Sequence, residues 1–77
     1  MSLLLPQTRT GTVRSATPVS IHGDRYVDLV IALEGEAGPA VVGRVGADDC
    51  PAFLAPDERV SVRFTMGVIV RVERVIG

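Results

Sequence analysis

The chain has 77 residues, of which 47% are apolar, and its eight Lys/Arg and nine Asp/Glu side chains give a net charge of −1. This length allows one domain, close to the lower limit for a self-sufficient hydrophobic core. The balanced charge argues against strong binding to nucleic acid, which needs a clustered basic excess. Cys50 is the single cysteine and His22 the single histidine, which excludes an internal disulfide and a four-ligand Cys/His zinc site, so we expect no metal or other cofactor.

Residues 1–8 are predicted to form an N-terminal arm, and residues 9–77 the folded domain. Pro6 disfavours a regular central strand in the arm. Its three leucines, residues 3–5, have two alternative places: across an open end of the domain, or on a partner. The leucine run is too short for the hydrophobic region of a signal peptide, and no run approaches the ~18 apolar residues that span a bilayer. We therefore expect a soluble, cytoplasmic protein that does not bind membranes.

Alternation of apolar and polar residues predicts five strands, because every second side chain of a strand lies on the same sheet face. The strands are predicted over residues 9–15, 26–33, 40–45, 59–65 and 68–73. Met66 and Gly67 separate the last two strands, and Gly67 readily adopts the positive φ of a tight hairpin. Residues 22–25 form a turn cluster, and residues 34–39 a loop.

The phases of the strands predict one shared core. In the last strand the alternation places Val70 and Val72 inward and Ile69 and Arg71 outward. The predicted core, drawn from all five strands and one helix, consists of Val13, Leu29, Ile31, Val45, Phe53, Leu54, Val60, Val62, Phe64, Val70 and Val72.

That helix is predicted over residues 48–54, between the third and fourth strands. It begins with carboxylates that suit a helix N-terminus and with Pro51 in its first turn, and Pro56 ends it. A helix of about two turns is not stable alone in water. Phe53 and Leu54 are therefore expected to fill a hydrophobic hole in the sheet.

Three strands, a short helix and a two-strand hairpin is the order of the OB fold, a small Greek-key barrel of five strands. The prediction is thus an all-β protein with an OB-fold barrel whose helix plugs one end. An SH3-like barrel is the main alternative, but its short 3₁₀ turn usually lies before the last strand rather than two strands earlier.

No catalytic constellation is visible, and no residue has a plausible general-base partner, so we expect no enzymatic activity. His22 lies in a turn and is interpreted as a solvated side chain. Cys50 is interpreted as half-buried and structural, because Asp48 and Asp49 oppose a thiolate there. The same two carboxylates are interpreted as a helix cap rather than a metal site.

A set of polar side chains occupies the outward phase of the strands, where OB barrels usually bind ligands. Tyr26 is a candidate to stack a base, and the arginines are candidates to hold phosphates. The alternative is that the arginines only solvate the exterior and pair with Asp28 or Glu73. The candidate ligand-binding residues are Tyr26, Arg44, Arg63 and Arg71.

Several short motifs resemble the OB domain of the acyl-CoA-associated family that accompanies thiolases and related condensing enzymes. The matching segments are Gly11-Thr12-Val13, Tyr26-Val27 to Leu33-Glu34-Gly35, Val42-Gly43-Arg44-Val45-Gly46-Ala47-Asp48 and Leu54-Ala55-Pro56-Asp57-Glu58-Arg59-Val60-Ser61-Val62-Arg63-Phe64. The resemblance covers about residues 10–65. Members of that family usually carry a four-cysteine zinc ribbon before the barrel, which this chain lacks, and Asp57 stands where they have a glycine.

The resemblance implies a non-enzymatic accessory domain that docks on a larger protein, such as a thiolase-like enzyme. The alternatives are a single-stranded DNA- or RNA-binding protein, since bacterial single-stranded DNA-binding proteins share the outline, and a structural homo-oligomer. Val30, Ala32 and Val42 are predicted to form one exposed apolar patch. We therefore expect self-association through this patch or through the arm.

Overall fold

The computed structural model describes residues 5–35 and 38–75. The described part is all-β, as predicted, with a single turn of 3₁₀ helix at Ala47–Asp49. Residues 1–4 of the predicted arm lie outside the described residues, as do two residues of the loop after the second strand, and the last two arm residues belong to the first strand. The five strands are β1 (Gln7–Ile21), β2 (Asp24–Leu33), β3 (Val41–Gly46), β4 (Arg59–Thr65) and β5 (Val68–Arg74).

The strands form one antiparallel sheet in the order β3-β2-β1-β4-β5. Three consecutive strands and a fourth that returns beside the first make a Greek key. Within residues 5–35 and 38–75 no backbone ladder joins β3 to β5. The five-stranded all-β prediction is therefore confirmed, whereas closure into a barrel is not.

Two tight hairpins connect neighbouring strands. His22 and Gly23 join β1 to β2 with φ values of 50° and 84°, and Met66 and Gly67 join β4 to β5 with φ values of 53° and 80°. Positive φ at both central residues matches the right-handed twist of the strands that such turns connect. The hairpin predicted at Met66-Gly67 is confirmed.

A β-bulge in β5 reverses which side chains of the first half of the strand face the core. Arg63 pairs with Arg71 and Phe64 with Ile69, so Val70 is an extra residue without an opposite partner. Such a residue lets the side chains on either side of it face different sides of the sheet. Ile69 is consequently buried, at 3% exposure, while Val70 is 40% exposed. The predictions of Val70 inside and Ile69 outside were both wrong.

A second bulge lies in β1 at Arg14, since Val13 pairs with Ile31 but Ser15 pairs with Val30. β1 runs for 15 residues, and the bulge allows it to bend. Residues 7–10 pair with β4, Gly11 and Thr12 pair with both neighbours, and the rest of the strand, from Val13 on, pairs with β2 alone. The far half of the β1–β2 hairpin therefore extends beyond β4.

The core lies between the two halves of the bent sheet. Nine of the eleven predicted core residues are buried, Leu33 and Ile69 join them, and Phe53 and Val70 do not belong to it. Ile69 also bridges the open side of the sheet, because a Cβ built on Gly43 of β3 would lie only 3.0 Å from its Cδ1. The buried set is Val13, Leu29, Ile31, Leu33, Val45, Leu54, Val60, Val62, Phe64, Ile69 and Val72.

The helix predicted over residues 48–54 does not form beyond the 3₁₀ turn. Pro51 disfavours helical backbone at the residue before it, and Cys50 accordingly has extended angles, φ −144° and ψ 136°. Pro56 constrains the other end in the same way. Four residues between two prolines are too few for a stable helix, so the segment runs irregularly into β4.

Candidate functional site

The irregular segment 50–58 is held in place by Arg74 of the last strand and by two backbone hydrogen bonds between Val13 and residues 57 and 58. Arg74 Nε donates a hydrogen bond of 2.9 Å to Glu58 Oε1, and its Nη2 donates to the carbonyl oxygens of Ala52 at 2.8 Å and Phe53 at 3.3 Å. Glu58 Oε2 in turn accepts from the backbone N–H of Ala55 at 3.0 Å. The hydrogen bond from Arg74 holds the pKa of the Glu58 carboxyl below its usual value.

This anchoring fixes two adjacent apolar side chains in opposite directions. Leu54 is buried against the core, whereas Phe53 is 97% exposed. The Phe53 backbone has φ +58°, a left-handed conformation that costs a bulky L-residue on the order of 1–2 kcal/mol. The Arg74 bond to the Phe53 carbonyl is one of the contacts that sustain it. Exposed aromatic area on a strained, anchored backbone is a common property of binding sites.

Phe53 stands at the edge of an apolar groove of about 460 Å³. We call this the apolar groove; it lies where the far half of the β1–β2 hairpin faces segment 50–53. In the predicted helix Phe53 was expected to fill a hydrophobic hole in the sheet; in the structure it stands beside the groove instead. Most of the lining side chains are apolar, and the principal ones are Ala16, Pro18, Val27, Tyr26, Cys50, Pro51 and Phe53.

A polar depression adjoins the apolar groove and shares Arg25 and Tyr26 with it. Its other charged side chains are Asp24 and Asp48. With two carboxylates and one guanidinium, this margin of the groove has a negative formal charge. A ligand that enters the groove and extends over the margin is therefore favoured when it carries a positive charge next to its apolar part.

Two of the predicted ligand-binding residues lie on β2 and β3. Arg44 is opposite Asp28 and forms a two-pronged ion pair with it, with Nε–Oδ1 at 2.6 Å and Nη2–Oδ2 at 3.0 Å. This hydrogen bonding lowers the pKa of Asp28 and raises that of Arg44. Arg44 is thus engaged by a carboxylate, as the alternative interpretation expected. Tyr26 is half-buried and lines the apolar groove.

The other two predicted residues lie together on β4 and β5. Arg63 and Arg71 are directly opposite each other and line a shallow depression of about 330 Å³ with Thr8, Ser61 and Glu73. The structure therefore divides the four candidates: Arg63 and Arg71 form one group, and Tyr26 and Arg44 belong to another part of the sheet.

Sequence reasoning missed the apolar groove because it treated Phe53 as core. The signal that would have found it is the spacing of Pro51 and Pro56, which prevents a helix. Without a helix no 3.6-residue periodicity places Phe53 and Leu54 on one face, so the two side chains need not both point inward.

Cys50 is half-buried, as predicted, and its Sγ lies 3.5 Å from the Pro51 carbonyl oxygen. Burial raises the pKa of its thiol, against a smaller opposing effect of Arg74, so the thiol is protonated near neutral pH and is a weak nucleophile. In the described ranges no group of His, Cys, Asp and Glu is arranged to hold a metal ion. The same ranges contain no helix long and apolar enough to cross a membrane.

Comparison with known proteins adds no relative. No protein-family model matches the chain, and searches of curated proteins and of solved structures find no match.

Proposed function

We propose that this protein is a non-enzymatic binding domain with an OB-like fold, which docks on a larger protein through the apolar groove. The observation that carries the proposal is Phe53: a fully exposed aromatic side chain at the edge of an apolar groove, on a left-handed backbone anchored by Arg74. A backbone held in its bound conformation before binding reduces the conformational entropy that is lost when a partner covers Phe53.

The groove and its margin indicate the chemistry of the partner segment. The groove accepts an apolar side chain, and Asp24 and Asp48 beside it favour a neighbouring lysine or arginine on the partner. The sequence resemblance supplies the class of partner, an acyl-CoA-processing enzyme of the thiolase type. A cytoplasmic location, which the sequence favours, remains part of the proposal.

The OB-like assignment rests on the strand order. β1 is central, β2 and β3 follow it on one side, and β4 and β5 return on the other. Ile69 packs against Gly43 where β3 and β5 face each other, which matches a partly open Greek-key barrel of five strands.

Single-stranded nucleic acid is the less supported ligand. Tyr26 would have to stack a base beside Asp24 and Asp48, which repel phosphate. Arg44 is already paired with Asp28. A nucleic-acid site needs several aromatic platforms in a positive groove, whereas the depression beside Tyr26 carries two carboxylates and a single arginine.

The test uses titration calorimetry with a thiolase-type condensing enzyme of the same genome. Phe53→Gly removes the aromatic anchor and relieves its backbone strain. Burying a phenylalanine contributes about 1.5–3 kcal/mol, so this variant should bind roughly ten- to hundredfold more weakly. Met66→Gly is the matched control, because Met66 is also exposed and also has positive φ, but lies in the β4–β5 hairpin.

Wild type and Met66→Gly should bind alike. Absence of any complex with wild type would contradict the partner class. Undiminished binding by Phe53→Gly would contradict the groove as the contact. Sub-micromolar binding of a single-stranded oligonucleotide at physiological salt, lost in Tyr26→Ala, would favour the nucleic-acid alternative.

A further inference from the structure

We propose that Arg63 and Arg71 form a binding site for a single phosphate group, such as the terminal phosphate of a small phosphomonoester. This site lies on the outer face of β4 and β5 and uses no residue of the apolar groove, so it does not rest on the proposed docking function.

Arg63 and Arg71 are cross-strand partners in the sheet. Like charges directly opposite each other destabilise a strand pair, and this arrangement is created by the bulge at Val70, which turns Arg71 outward while Ile69 faces the core. Bulges often serve to re-aim a side chain at a functional position. A bound anion between the two guanidinium groups would convert their repulsion into attraction.

Both side chains retain unused hydrogen-bonding capacity. Arg63 donates one long hydrogen bond, 3.4 Å from its Nη1 to Thr8 Oγ1, and among the described residues no carboxylate forms an ion pair with it. Arg71 has one distant carboxylate, with Nη2–Asp49 Oδ1 at 3.7 Å. A guanidinium carries five N–H donors, so most donors of this pair remain available to a ligand.

Other arginines of the sheet are engaged by carboxylates at much shorter distances. Arg44 reaches Asp28 at 2.6 Å and Arg59 reaches Glu34 at 2.7 Å. The contrast shows that the chain neutralises outward arginines elsewhere but leaves Arg63 without a counter-ion in the described structure. Planar guanidinium groups suit phosphate because each can donate two parallel hydrogen bonds to its oxygens.

The remaining side chains of the depression set the size and charge of the ligand. Thr8 and Ser61 line it with hydroxyl groups, which can donate to a phosphate oxygen. Glu73 lines the same depression, and Asp49 lies beyond Arg71. Carboxylates on two sides repel an extended polyanion, so the positive region fits one phosphate group rather than a nucleic-acid backbone.

The experiment is a titration of the isolated protein with inorganic phosphate at constant ionic strength, with chloride as the replaced ion. Two-dimensional ¹H–¹⁵N NMR should show saturable shifts at Thr8, Ser61, Arg63 and Arg71. Since hydrogen bonds to charged groups are strong, Arg63→Gln and Arg71→Gln should each weaken binding roughly ten- to hundredfold. Arg14→Gln, which changes an exposed arginine of β1, should bind phosphate like wild type.

Thermal unfolding provides a second readout that a purely structural role would not move. Phosphate should raise the melting temperature of wild type and of Arg14→Gln, because a ligand that binds the folded state stabilises it. The rise should be clearly smaller for Arg63→Gln, which in chloride should be at least as stable as wild type. A non-saturable response, equal loss in Arg14→Gln, or tighter binding of a single-stranded oligonucleotide than of a phosphomonoester would overturn the proposal.

Discussion

Phe53 and Leu54 are neighbours in the chain, yet Phe53 points into solvent and Leu54 packs on the core. The domain contains one other phenylalanine, Phe64, which is buried near the end of β4. Two phenylalanines in opposite environments allow the same substitution to be compared at both.

Phe64→Ala should lower the free energy of unfolding by about 3–5 kcal/mol, because it leaves a cavity among Val13, Leu29 and the other core side chains. Phe53→Ala should change it by no more than about 0.5 kcal/mol, since the side chain touches little. Urea denaturation of both variants measures the difference. Similar losses in the two variants would mean that Phe53 is packed in solution and that the apolar groove is closed.

Gly11→Ala should destabilise the protein by about 1–3 kcal/mol. A Cβ built on Gly11 would lie 2.7 Å from Ile31 Cγ2 and 2.8 Å from the Ala32 carbonyl oxygen, and the latter is backbone that cannot move away easily. Gly38→Ala is the matched control, because a Cβ there meets nothing within 4 Å. Equal denaturation midpoints for the two variants would contradict the close approach of β1 and β2.

Acid should weaken the interaction between Arg74 and Glu58 that anchors segment 50–58. The folded-state pKa of Glu58 lies below its usual value of 4.5, so its contribution to stability is present above about pH 4.5 and is lost as the pH falls through the lowered value. Glu58→Gln lacks this titration. Its melting temperature should be below that of wild type at pH 7, and the gap should narrow below pH 4.5. A gap that stays constant from pH 7 to pH 3 would contradict the Arg74–Glu58 interaction as the cause.

Self-association through the apolar patch or the arm remains a prediction, and Val42 is an exposed residue of that patch at which it can be tested. Val42 is 74% exposed on the edge strand β3 and lies opposite the half-buried Val30. We expect light scattering at micromolar concentration to give a mass above that of the monomer, and Val42→Glu to give the monomer mass by placing a charge in the contact. A monomer mass for wild type, unchanged over a tenfold range of concentration, would contradict this prediction.

The sequence predicted the strands well because each depends on local alternation, and the Val60, Val62 and Phe64 phase of β4 is correct for that reason. It failed at Ile69 and Val70 because a run of apolar residues carries no mark of a bulge. The sequence also could not predict that Arg63 and Arg71 lie opposite each other, because cross-strand neighbours depend on the register of the two strands. For Asp28 the sequence suggested an ion pair with one of the outward arginines, but it did not identify Arg44 as the partner.

β1 has its two neighbours at very different distances along the chain. At Gly11 it pairs with Leu33 on one side and with Val60 on the other, and the pairing continues from there to Gln7 and Phe64. During synthesis the first half of β1 therefore has no β4 partner until most of the domain has been made. The chain entropy lost on closing such a long loop precedes the favourable contacts between the two strands, and this slows folding. Until then the unpaired backbone of this half-strand is open to pairing with another molecule.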